Sequence, residues 1–543
     1  MGSPDFVEGF VSRRIEAAGR LARLITRSLD VGDAGAPTAQ VAGLLLRLCV
    51  LPRVLHLFRG HYARSLTNLA SSFDTMMREV AARIWGTTPG WTQVASLQAG
   101  LPLRWGGMGL RPLAAVAVAA FLGSWAQTLP AVQRLLGGAP LLGPAAHPSP
   151  TLTRVRDAEA TWRALTTQPD VDPVDWTAAA ARPDGLRRHQ RVLSQALDRA
   201  RRDRLRRVGT AADWTRVQSC SGIWAGVWLT VPPTEHGLSF LDAEYQALVR
   251  FRMRLPIMPG GGRCQRLSRR PHGGRWGRAW YDPEGDHAHA CPLNAGARTR
   301  RHNHLRDELR RQLRWLGFWA ETEQEDSRLP HRPDVRAHGF SLPVTHFEVH
   351  VSHPSQRQPE TWAPRRGRSN TAFVEEVWNR RLRVDYGGGP PANASFNLVP
   401  AVVSSFGGWH PAFAQWWRGA VRASAERAGA LAHTTNMLWR SVGFLSVILQ
   451  RQNFLVLAGC APTLANEVTG QLGRPLSETP EFWRAAPEAA VQWSAEEFDF
   501  PPEAAEQPRG IIPGLPPPFG DGAVEPEDSP LAVGLLRASG MQI

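Results

Sequence analysis

Two acidic residues in the second half of the chain, Asp334 and Glu348, have the spacing of residues that meet across a β-hairpin. Asp334 opens one run with strand character, and Glu348 lies in a second, which we predict over Val344–Val351. Because side chains alternate along a strand, His346, Glu348 and His350 should share one face. Two carboxylates at one point repel unless a cation lies between them, and Mg²⁺ or Mn²⁺ prefers oxygen ligands. The spacing is compatible with a metal site that activates water toward a phosphodiester, or with two unrelated surface carboxylates.

A second group of residues has the chemistry of a structural zinc site, in which four nitrogen or sulfur ligands form a tetrahedron. The candidate ligands are Cys264, His287 and Cys291, with His272 or its rival His289 as the fourth. One arm, His287-x3-Cys291, has suitable short spacing. The other arm lacks the cysteine that a Cys-x2-Cys pattern would place at Leu267. The pattern fits either a zinc site or a vestigial site that no longer holds metal.

The charge of the chain is strongly basic and unevenly distributed. The 543 residues carry a net charge of +15, and none of the 63 basic residues is a lysine. Residues 461–543 contribute −9, which leaves +24 on the first 460 residues. Such an excess is typical of proteins that meet phosphate backbones. A GC-rich genome, which favours arginine codons over lysine codons, would also produce this composition.

The first 130 residues have the periodicity of helices. Apolar residues recur at i, i+3 and i+4 over Arg13–Leu29, Gln40–Phe58 and Leu69–Ile84. After a Pro-, Gly- and Ala-rich stretch, Arg187–Arg207 forms an arginine-rich helix whose basic face is either solvated or in contact with phosphate. Helical structure therefore dominates the N-terminal part of the prediction.

Several features bear on the cellular compartment. Five scattered cysteines, an odd number, argue against a disulfide framework. The N-terminal residues lack the basic-then-apolar pattern of a signal peptide. The longest apolar run, Leu113–Ala126, is too short to span a bilayer and is predicted to be a buried helix. We therefore expect an intracellular protein that is not secreted and does not contact a membrane.

Taken in order, the motifs of about residues 1–455 resemble the C-terminal part of non-LTR retrotransposon polyproteins that carry a restriction-like endonuclease. GSPDFV and LLLRLCVLPRVLHLFRG resemble the end of a reverse-transcriptase palm and the start of its thumb, and LPLRWGGMGLRP is similar to the segment after that thumb. WAGVWLTVPP, FRMRLPI, GDHAHAC, RRHNHLRDEL and RPDV follow in the order of the family. VPAVVSSFGGW and FLSVILQRQN resemble its closing helices. The ordered succession carries the resemblance, since each motif alone is unspecific.

The resemblance implies a zinc-knuckle-like element before a PD-(D/E)XK nuclease, which nicks target DNA so that the reverse transcriptase can prime on it. Asp334 and Glu348 would be the metal-binding catalytic carboxylates, with Glu323, at the end of the preceding helix, as a third. Arg301 and His302 match the family's Arg-His pair and would position the helix or contact nucleic acid. The implied partners are double-stranded DNA and retrotransposon RNA, and the implied location is the nucleus.

The chain departs from this family in its basic residues and its polymerase. The position that the family's lysine takes after Glu348 is occupied by His350. In some such nucleases the lysine lies on the following helix, predicted here over Phe373–Asp385. Three arginines of that helix could take its place: Arg380, Arg381 and Arg383. Arginine supplies positive charge, but its high pKa prevents it from acting as a base. The polymerase palm is missing, so we do not expect this chain to polymerise DNA.

We predict an α+β multidomain protein with a helical thumb-like region, a zinc-knuckle-like element, a restriction-like α/β/α nuclease core and a disordered C-terminal tail. The predicted regions are 1–130 (thumb-like), 131–222 (linker and arginine-rich helix), 223–292 (zinc-knuckle-like), 293–460 (nuclease) and 461–543 (tail). The predicted function is a DNA endonuclease module that depends on Mg²⁺ or Mn²⁺, with structural Zn²⁺ beside it. The alternative is a catalytically inactive, nucleic-acid-binding remnant of a retrotransposon.

Overall fold

A computed structural model describes residues 4–461, 464, 466 and 467 of the chain, apart from internal gaps. The gaps are 32–37, 63, 88–90, 139–140, 143–147, 183–184, 187, 236, 258–261, 264–279, 292–293, 327–328, 340–341, 355–368, 389–394 and, near the end, 462–463 and 465. Two predicted zinc ligands, Cys264 and His272, lie outside the described residues, as does nearly all of the predicted tail.

The described part of the chain is mixed α and β and mostly helical. Its first 260 residues contain only helices and connections. These helices are α1 (Pro4–Val31), α2 (Thr38–Leu45), α3 (Leu51–Leu55), α4 (Leu57–Gly60), α5 (Arg64–Ile84), α6 (Gln93–Ala99), α7 (Leu113–Leu135), α8 (Pro150–Thr166), α9 (Trp176–Ala181), α10 (His189–Val208), α11 (Ala211–Ser219) and α12 (Asp242–Arg252). A π-helical turn, Leu46–Val50, joins α2 to α3, where Pro52 occupies the first turn and costs no internal hydrogen bond.

Strands and helices alternate in the remainder of the described chain. The elements in order are β1 (Gly262–Arg263), β2 (Trp280–Tyr281), α13 (Asp286–Ala290), α14 (Ala295–Trp315), β3 (Trp319–Thr322), β4 (Val335–Gly339), β5 (Leu342–Ser352), α15 (Asn370–Asp385), β6 (Phe396–Ser404), α16 (Pro411–Arg427) and α17 (Thr434–Ala458). Strands β1 and β2 form a small antiparallel pair. The four remaining strands form one sheet in the order β3-β4-β5-β6.

The four-stranded sheet combines two kinds of pairing. Strands β3, β4 and β5 are antiparallel neighbours joined by short connections, whereas β5 and β6 are parallel because α15 crosses between them. The antiparallel register sets Val335 opposite Phe347, so Asp334, one residue earlier, reaches the strand beside Glu348. The predicted hairpin is therefore present, and its register places the two acidic residues side by side.

Helices cover both faces of this sheet. Phe347 of β5 packs on the rings of Phe413 and Trp416 of α16, with ring centroids 6.2 and 4.7 Å apart. On the other face, Val402 of β6 belongs to a small buried cluster with α15 residues that include Val377. The alternation of buried side chains to the two faces agrees with the predicted division of β5 into an apolar face and a face with Glu348.

One buried apolar cluster extends through most of the described chain. It contains residues of α1 and α5, of α12 and α14, of the sheet and of α17. Gln40 of α2, which is 1% exposed, donates to the carbonyl oxygens of Val231 and Leu238 at 2.9 and 3.1 Å. The helical N-terminal part and the sheet therefore share a core, and the predicted boundaries between regions remain predictions.

A glycine-rich loop connects α6 to α7 and is fixed by a buried arginine. Gly106 adopts a φ of +83°, and a Cβ at Gly107 would lie 1.9 Å from the carbonyl oxygen of Leu101. Arg252, which is 2% exposed, donates to the carbonyl oxygens of Gly107 and Leu103 at 3.1–3.3 Å. The tight loop predicted from these glycines is present, and it binds α12 to the N-terminal helices.

One local prediction was wrong, namely that Glu323 lies at the end of a helix. Helix α14 ends at Trp315, and residues 319–322 form β3 instead. Glu323 consequently follows a strand and not a helix. The buried helix predicted for the apolar run Leu113–Ala126 is confirmed as the first part of α7, which continues to Leu135 and contains Pro130 in its interior.

Three helical stretches are long and apolar enough to cross a membrane, judged by length and composition alone: Thr38–Gly60, Leu113–Leu135 and Leu431–Ala458. The second has 23 residues, so the statement that its apolar run is too short to span was wrong. Within the protein, 67% of the most apolar window of the second stretch and 89% of that of the third are buried. Burial against other helices accounts for the apolar character of those two stretches, whereas only 33% of the first is buried.

Candidate functional site

Asp334 stands immediately before β4 and is held by two hydrogen bonds from different elements. Its Oδ2 accepts from the backbone nitrogen of Val349 in β5 at 2.8 Å. Its Oδ1 lies 2.9 Å from Nε2 of His302 in α14. The carboxylate is therefore fixed against the centre of β5, and its side chain keeps 15% of its surface exposed.

Glu348 lies in the middle of β5 on the polar face of the strand, and it is 2% exposed. Its Oε2 accepts a hydrogen bond of 2.9 Å from the hydroxyl of Tyr386, and its Oε1 lies 3.4 Å from Nη1 of Arg381. Burial and, next, the neighbouring carboxylate of Asp334 raise the pKa of Glu348 to about 7, against the opposing effects of Tyr386 and Arg381. The structure thus brings the two predicted carboxylates together in one electrostatic environment.

His350, at the position where the resembled family has a lysine, is in contact with Arg381, one of the predicted substitutes. Nη2 of Arg381, from α15, donates to Nδ1 of His350 at 3.1 Å, and Nη1 binds Asp385 at 2.5 Å. Burial and the guanidinium of Arg381 lower the pKa of His350 to about 4, so this imidazole is neutral at pH 7 and can accept that bond. Arg381, predicted as one of three substitutes for lysine, is the one that reaches Glu348.

Tyr386 is a site residue that the sequence did not reveal. It follows α15, is 3% exposed, and joins this helix to β5 through its hydrogen bond to Glu348. His331, from the connection before β4, packs edge-on to the Tyr386 ring with centroids 5.9 Å apart. Only the crossover of α15 over the sheet places Tyr386 here, and no local spacing in the sequence reports such a contact.

Glu323, predicted as a third carboxylate, lies opposite Asp334 and forms ion pairs with two arginines. Its backbone nitrogen donates to the carbonyl oxygen of Asp334 at 3.1 Å, so the two residues are neighbours along the β3–β4 pairing. Its side chain, 44% exposed, forms ion pairs with Arg306 and, at 3.2 Å, with Arg332. The side-chain partners of Glu323 are therefore arginines, and its role as a third metal ligand remains a prediction.

Arg301 and His302 are neighbours in α14 but have different surroundings. Arg301 is 2% exposed and donates to Nδ1 of His289 at 3.0 Å and to Oδ1 of Asn453 at 2.8 Å. Burial lowers the pKa of Arg301 to about 9. Arg301 therefore ties α14 to α17. Of the two expected roles, its contacts fit positioning of the helix, and its burial leaves little surface for a nucleic-acid contact. His302 instead faces the site through Asp334.

The zinc-like cluster is only partly described. His287 and Cys291 lie at the two ends of α13, and the buried Nε2 of His287 has no hydrogen-bond partner among the described residues. The rival ligand, His289, stacks against both Phe251 and His353 and is hydrogen-bonded to Arg301. Within the described ranges no group of three or more His, Cys, Asp or Glu side chains is arranged to hold a metal ion. Zinc binding remains a prediction.

A buried Ser-His-Asp arrangement lies beside this region. Nδ1 of His353 is 2.6 Å from Oγ of Ser405, and its Nε2 is 3.3 Å from Oδ1 of Asp286. Burial would raise the pKa of Asp286, but the guanidinium of Arg216 brings it down to about 2, so Asp286 is charged. Ser405 has no exposed surface. The arrangement therefore links the end of β5 to β6 and α13, and it offers no nucleophile to a substrate.

The carboxylate pair is chemically suited to a divalent cation. Mg²⁺ is commonly held by one or two carboxylates, with waters and substrate oxygens completing its shell. Asp334 and Glu348 offer such oxygens, and the contribution of Asp334 to the raised pKa of Glu348 reflects like charge that a cation would offset. Arg381 and the histidines supply no further oxygen ligand. The residues fit a cation bound mainly through the pair, water and substrate.

No family model and no curated protein matches this chain. The geometry around Asp334 and Glu348 is therefore the basis for assigning a function.

Proposed function

We propose that residues 293–460 act as a metal-dependent DNA endonuclease module that derives from a retrotransposon polyprotein. The observation that carries this proposal is the fixed position of Asp334 against β5, which sets its carboxylate beside Glu348. Two adjacent carboxylates with an arginine and a neutral histidine on the same face form a compact site for phosphodiester chemistry. The proposal includes the ancestry that the ordered motifs suggest.

The sheet supports this assignment. A hairpin that ends next to a parallel strand, with helices on both faces, agrees with the restriction-like α/β/α core expected for residues 293–460. In some nucleases of this type the basic residue lies on the helix that follows the strand with the metal-binding glutamate. Here β5 carries Glu348, and α15 carries Arg381.

Asp334 and Glu348 would hold Mg²⁺ or Mn²⁺, which supplies a water acidified for attack and charge stabilisation at the scissile phosphate. His302 fixes the orientation of the Asp334 carboxylate through Nε2. Tyr386 donates to Oε2 of Glu348 and favours its charged form, in which it is a ligand. Arg381 places permanent positive charge beside Glu348, where it can stabilise a phosphate but cannot accept a proton.

The partner proposed for this site is double-stranded DNA in the nucleus. The charge of +24 on the first 460 residues would attract the duplex with an affinity that falls as salt rises. Retrotransposon RNA, proposed as a second partner, would be bound by the same electrostatic attraction.

The test is nicking of supercoiled plasmid by the full chain with Mg²⁺ or Mn²⁺. We expect Asp334→Asn and Glu348→Gln each to lower the rate by at least about 100-fold, because a charged ligand is lost. Glu426→Gln is the matched control, since it removes one acidic charge from an exposed ion pair with Arg422 on α16. It should leave the rate within a few-fold of the unmodified chain.

A second candidate function is a nucleic-acid-binding protein without nuclease activity. It is favoured by the ion pair of Arg381 with Glu348 and by the absence of lysine from the whole chain. In that case the full chain would bind plasmid in a salt-dependent manner but produce no nicks with either metal. Equal activity of the Asp334→Asn variant and the unmodified chain would contradict the proposed nuclease site.

A further inference from the structure

An arginine-lined cavity lies in the helical N-terminal part of the protein. Its volume is about 160 Å³, and it lies between α5, α6, the loop before α7, and α10. This is well above the roughly 10–15 Å³ that one water molecule requires. The charged residues that line it are Asp74, Arg78, Arg111, Arg201 and Arg204.

The acidic residue in the lining is already used by the fold. Oδ1 and Oδ2 of Asp74 accept hydrogen bonds from the backbone nitrogens of Leu113 and Ala114 at 2.6 and 3.1 Å. Asp74 thus satisfies the free N–H groups at the start of α7. Arg111 forms an ion pair of 3.1 Å with Asp198 of α10. After both carboxylates are counted, the four arginines leave a net charge of +2 at the cavity.

Arg201 and Arg204 face the cavity one helical turn apart on α10. Neither forms a hydrogen bond or an ion pair with another residue in the part of the chain that the structure describes. Burial lowers the pKa of Arg201, and the neighbouring Arg204 and Arg111 act in the same direction against Asp198 and Asp74. Arg201 is half-buried and Arg204 is exposed, and both place positive charge on the same wall of the cavity without an acceptor of their own, so this position favours an anion.

Gly100 makes room for the guanidinium of Arg201. Its φ of −78° is open to any residue, so the backbone does not require glycine there. A Cβ at this position would lie 2.9 Å from Nη1 of Arg201 and 3.2 Å from Cδ of Pro112. The missing side chain is therefore explained by the close approach of Arg201, and an alanine would push the guanidinium from its place.

Two further arginines of α10 have different contacts. The guanidinium carbons of Arg202 and Arg206 lie 5.2 and 5.6 Å from the ring centre of Trp214. These two cations pack on an aromatic surface, a contact that stabilises the helix. The helix thus carries one set of arginines used in packing and one set directed to the cavity.

We propose that this cavity binds a phosphate group through Arg201 and Arg204, with Arg78 and Arg111 on its walls. The planar fork of a guanidinium matches two phosphate oxygens, and two forks on one helix face can bind one group together. The phosphate belongs either to a nucleic-acid backbone or to a small free phosphate compound. The site is separate from Asp334 and Glu348, so it stands whether or not the chain is a nuclease.

The test is calorimetric titration of the full chain with inorganic phosphate and, separately, with a short single-stranded DNA. We expect one saturable phosphate site, weakened by about tenfold or more in Arg201→Ala, as for the loss of a charge-assisted hydrogen bond. Gly100→Ala should weaken it similarly while retaining every arginine. Arg199→Ala removes the same charge from the exposed face of α10 and should stay within about twofold, since a distant exposed charge contributes little.

The DNA titration distinguishes the two sources of phosphate. Loss of DNA affinity in Arg201→Ala and Gly100→Ala, but not in Arg199→Ala, assigns the site to a nucleic-acid backbone. Unchanged DNA affinity together with weakened phosphate binding assigns it to a small phosphate compound. The proposal is overturned if neither probe binds saturably, or if Arg199→Ala weakens binding as much as Arg201→Ala does. Melting curves of each variant show that the fold is retained.

Discussion

At the scale of single residues, Glu348 is the group whose charge is most finely balanced. Burial, the carboxylate of Asp334 and, to a smaller extent, Asp385 raise its pKa to about 7, whereas Tyr386 and Arg381 oppose that rise. The ordinary value for this side chain is 4.5. The folded protein therefore holds this proton more tightly than the unfolded chain does.

The stability of the metal-free protein should depend on pH through Glu348. Below about pH 4.5 Glu348 is protonated in both the folded and the unfolded state. As pH rises from there to about 7, the unfolded chain loses this proton first, and the folded state loses the stability that the tighter proton binding gives it. We expect Glu348→Gln to raise the free energy of unfolding by on the order of 2 kcal/mol at pH 8 and by much less at pH 4.5. Urea unfolding in EDTA at both pH values measures this. An equal difference at the two pH values would contradict the assignment.

Tyr386 should act on Glu348 without touching the reacting atoms. Removal of its hydroxyl in Tyr386→Phe leaves Oε2 of Glu348 without the bond that favours the charged carboxylate. We expect the plasmid-nicking rate to fall about 10–100-fold at pH 7, as for other residues that orient a metal ligand. The rate should recover in part as pH rises. A uniform loss at every pH would indicate general damage and not a change in the charge of Glu348.

At the scale of elements, the local sequence patterns predicted those features of the strands that depend on short-range spacing alone. Alternation over β5 correctly assigned Glu348 and Phe347 to opposite faces, because a strand fixes that division by itself. The spacing also predicted the hairpin that carries Asp334. Glu323 was predicted at the end of a helix, but α14 ends at Trp315 and β3 intervenes, which the spacing alone did not reveal. Tyr386 needed the crossover of α15, which no short-range pattern specifies.

Helix α7 is capped from a distant element, and this cap should be measurable. Asp74 of α5 accepts from two backbone nitrogens of α7, so Asp74→Ala leaves both donors without this partner. We expect a loss of about 1–2 kcal/mol in the free energy of unfolding, as for other helix caps. Asp30→Ala is the matched control. Its ion pair with Arg83 is exposed, so its loss should cost about 1 kcal/mol or less.

At the scale of the whole molecule, the N-terminal helices and the sheet meet in a common apolar cluster. Composition and motif order divided the chain into regions, but they could not show which apolar faces pack against each other. Pairings such as Gln40 with Val231 join residues that lie far apart in the sequence. The contribution of α17 to this core was likewise not apparent from its amphipathic pattern alone.

A substitution in α17 should therefore weaken both parts of the protein together. Leu449 has no exposed surface, and we expect Leu449→Ala to reduce the free energy of unfolding by about 2–5 kcal/mol. Hydrogen exchange should accelerate in α12 and α14 to a similar degree, which mass spectrometry of peptides can measure. Val384→Ala alters a side chain that is 76% exposed. It should change the free energy of unfolding by no more than about 0.5 kcal/mol and leave hydrogen exchange in both helices unchanged. Faster exchange confined to one part would contradict a shared core.

The position of α17 in the chain also affects biosynthesis. Its buried residues extend from Trp439 to Leu457, and it packs against α12, α14 and α16, all of which leave the ribosome earlier. Until α17 has emerged, those helices present apolar faces to solvent, and nascent chains in this state are prone to aggregate and to engage chaperones. A translation product that stops before Thr434 would therefore lack the segment that closes its core, so ribosomal pausing in this region should favour degradation over folding.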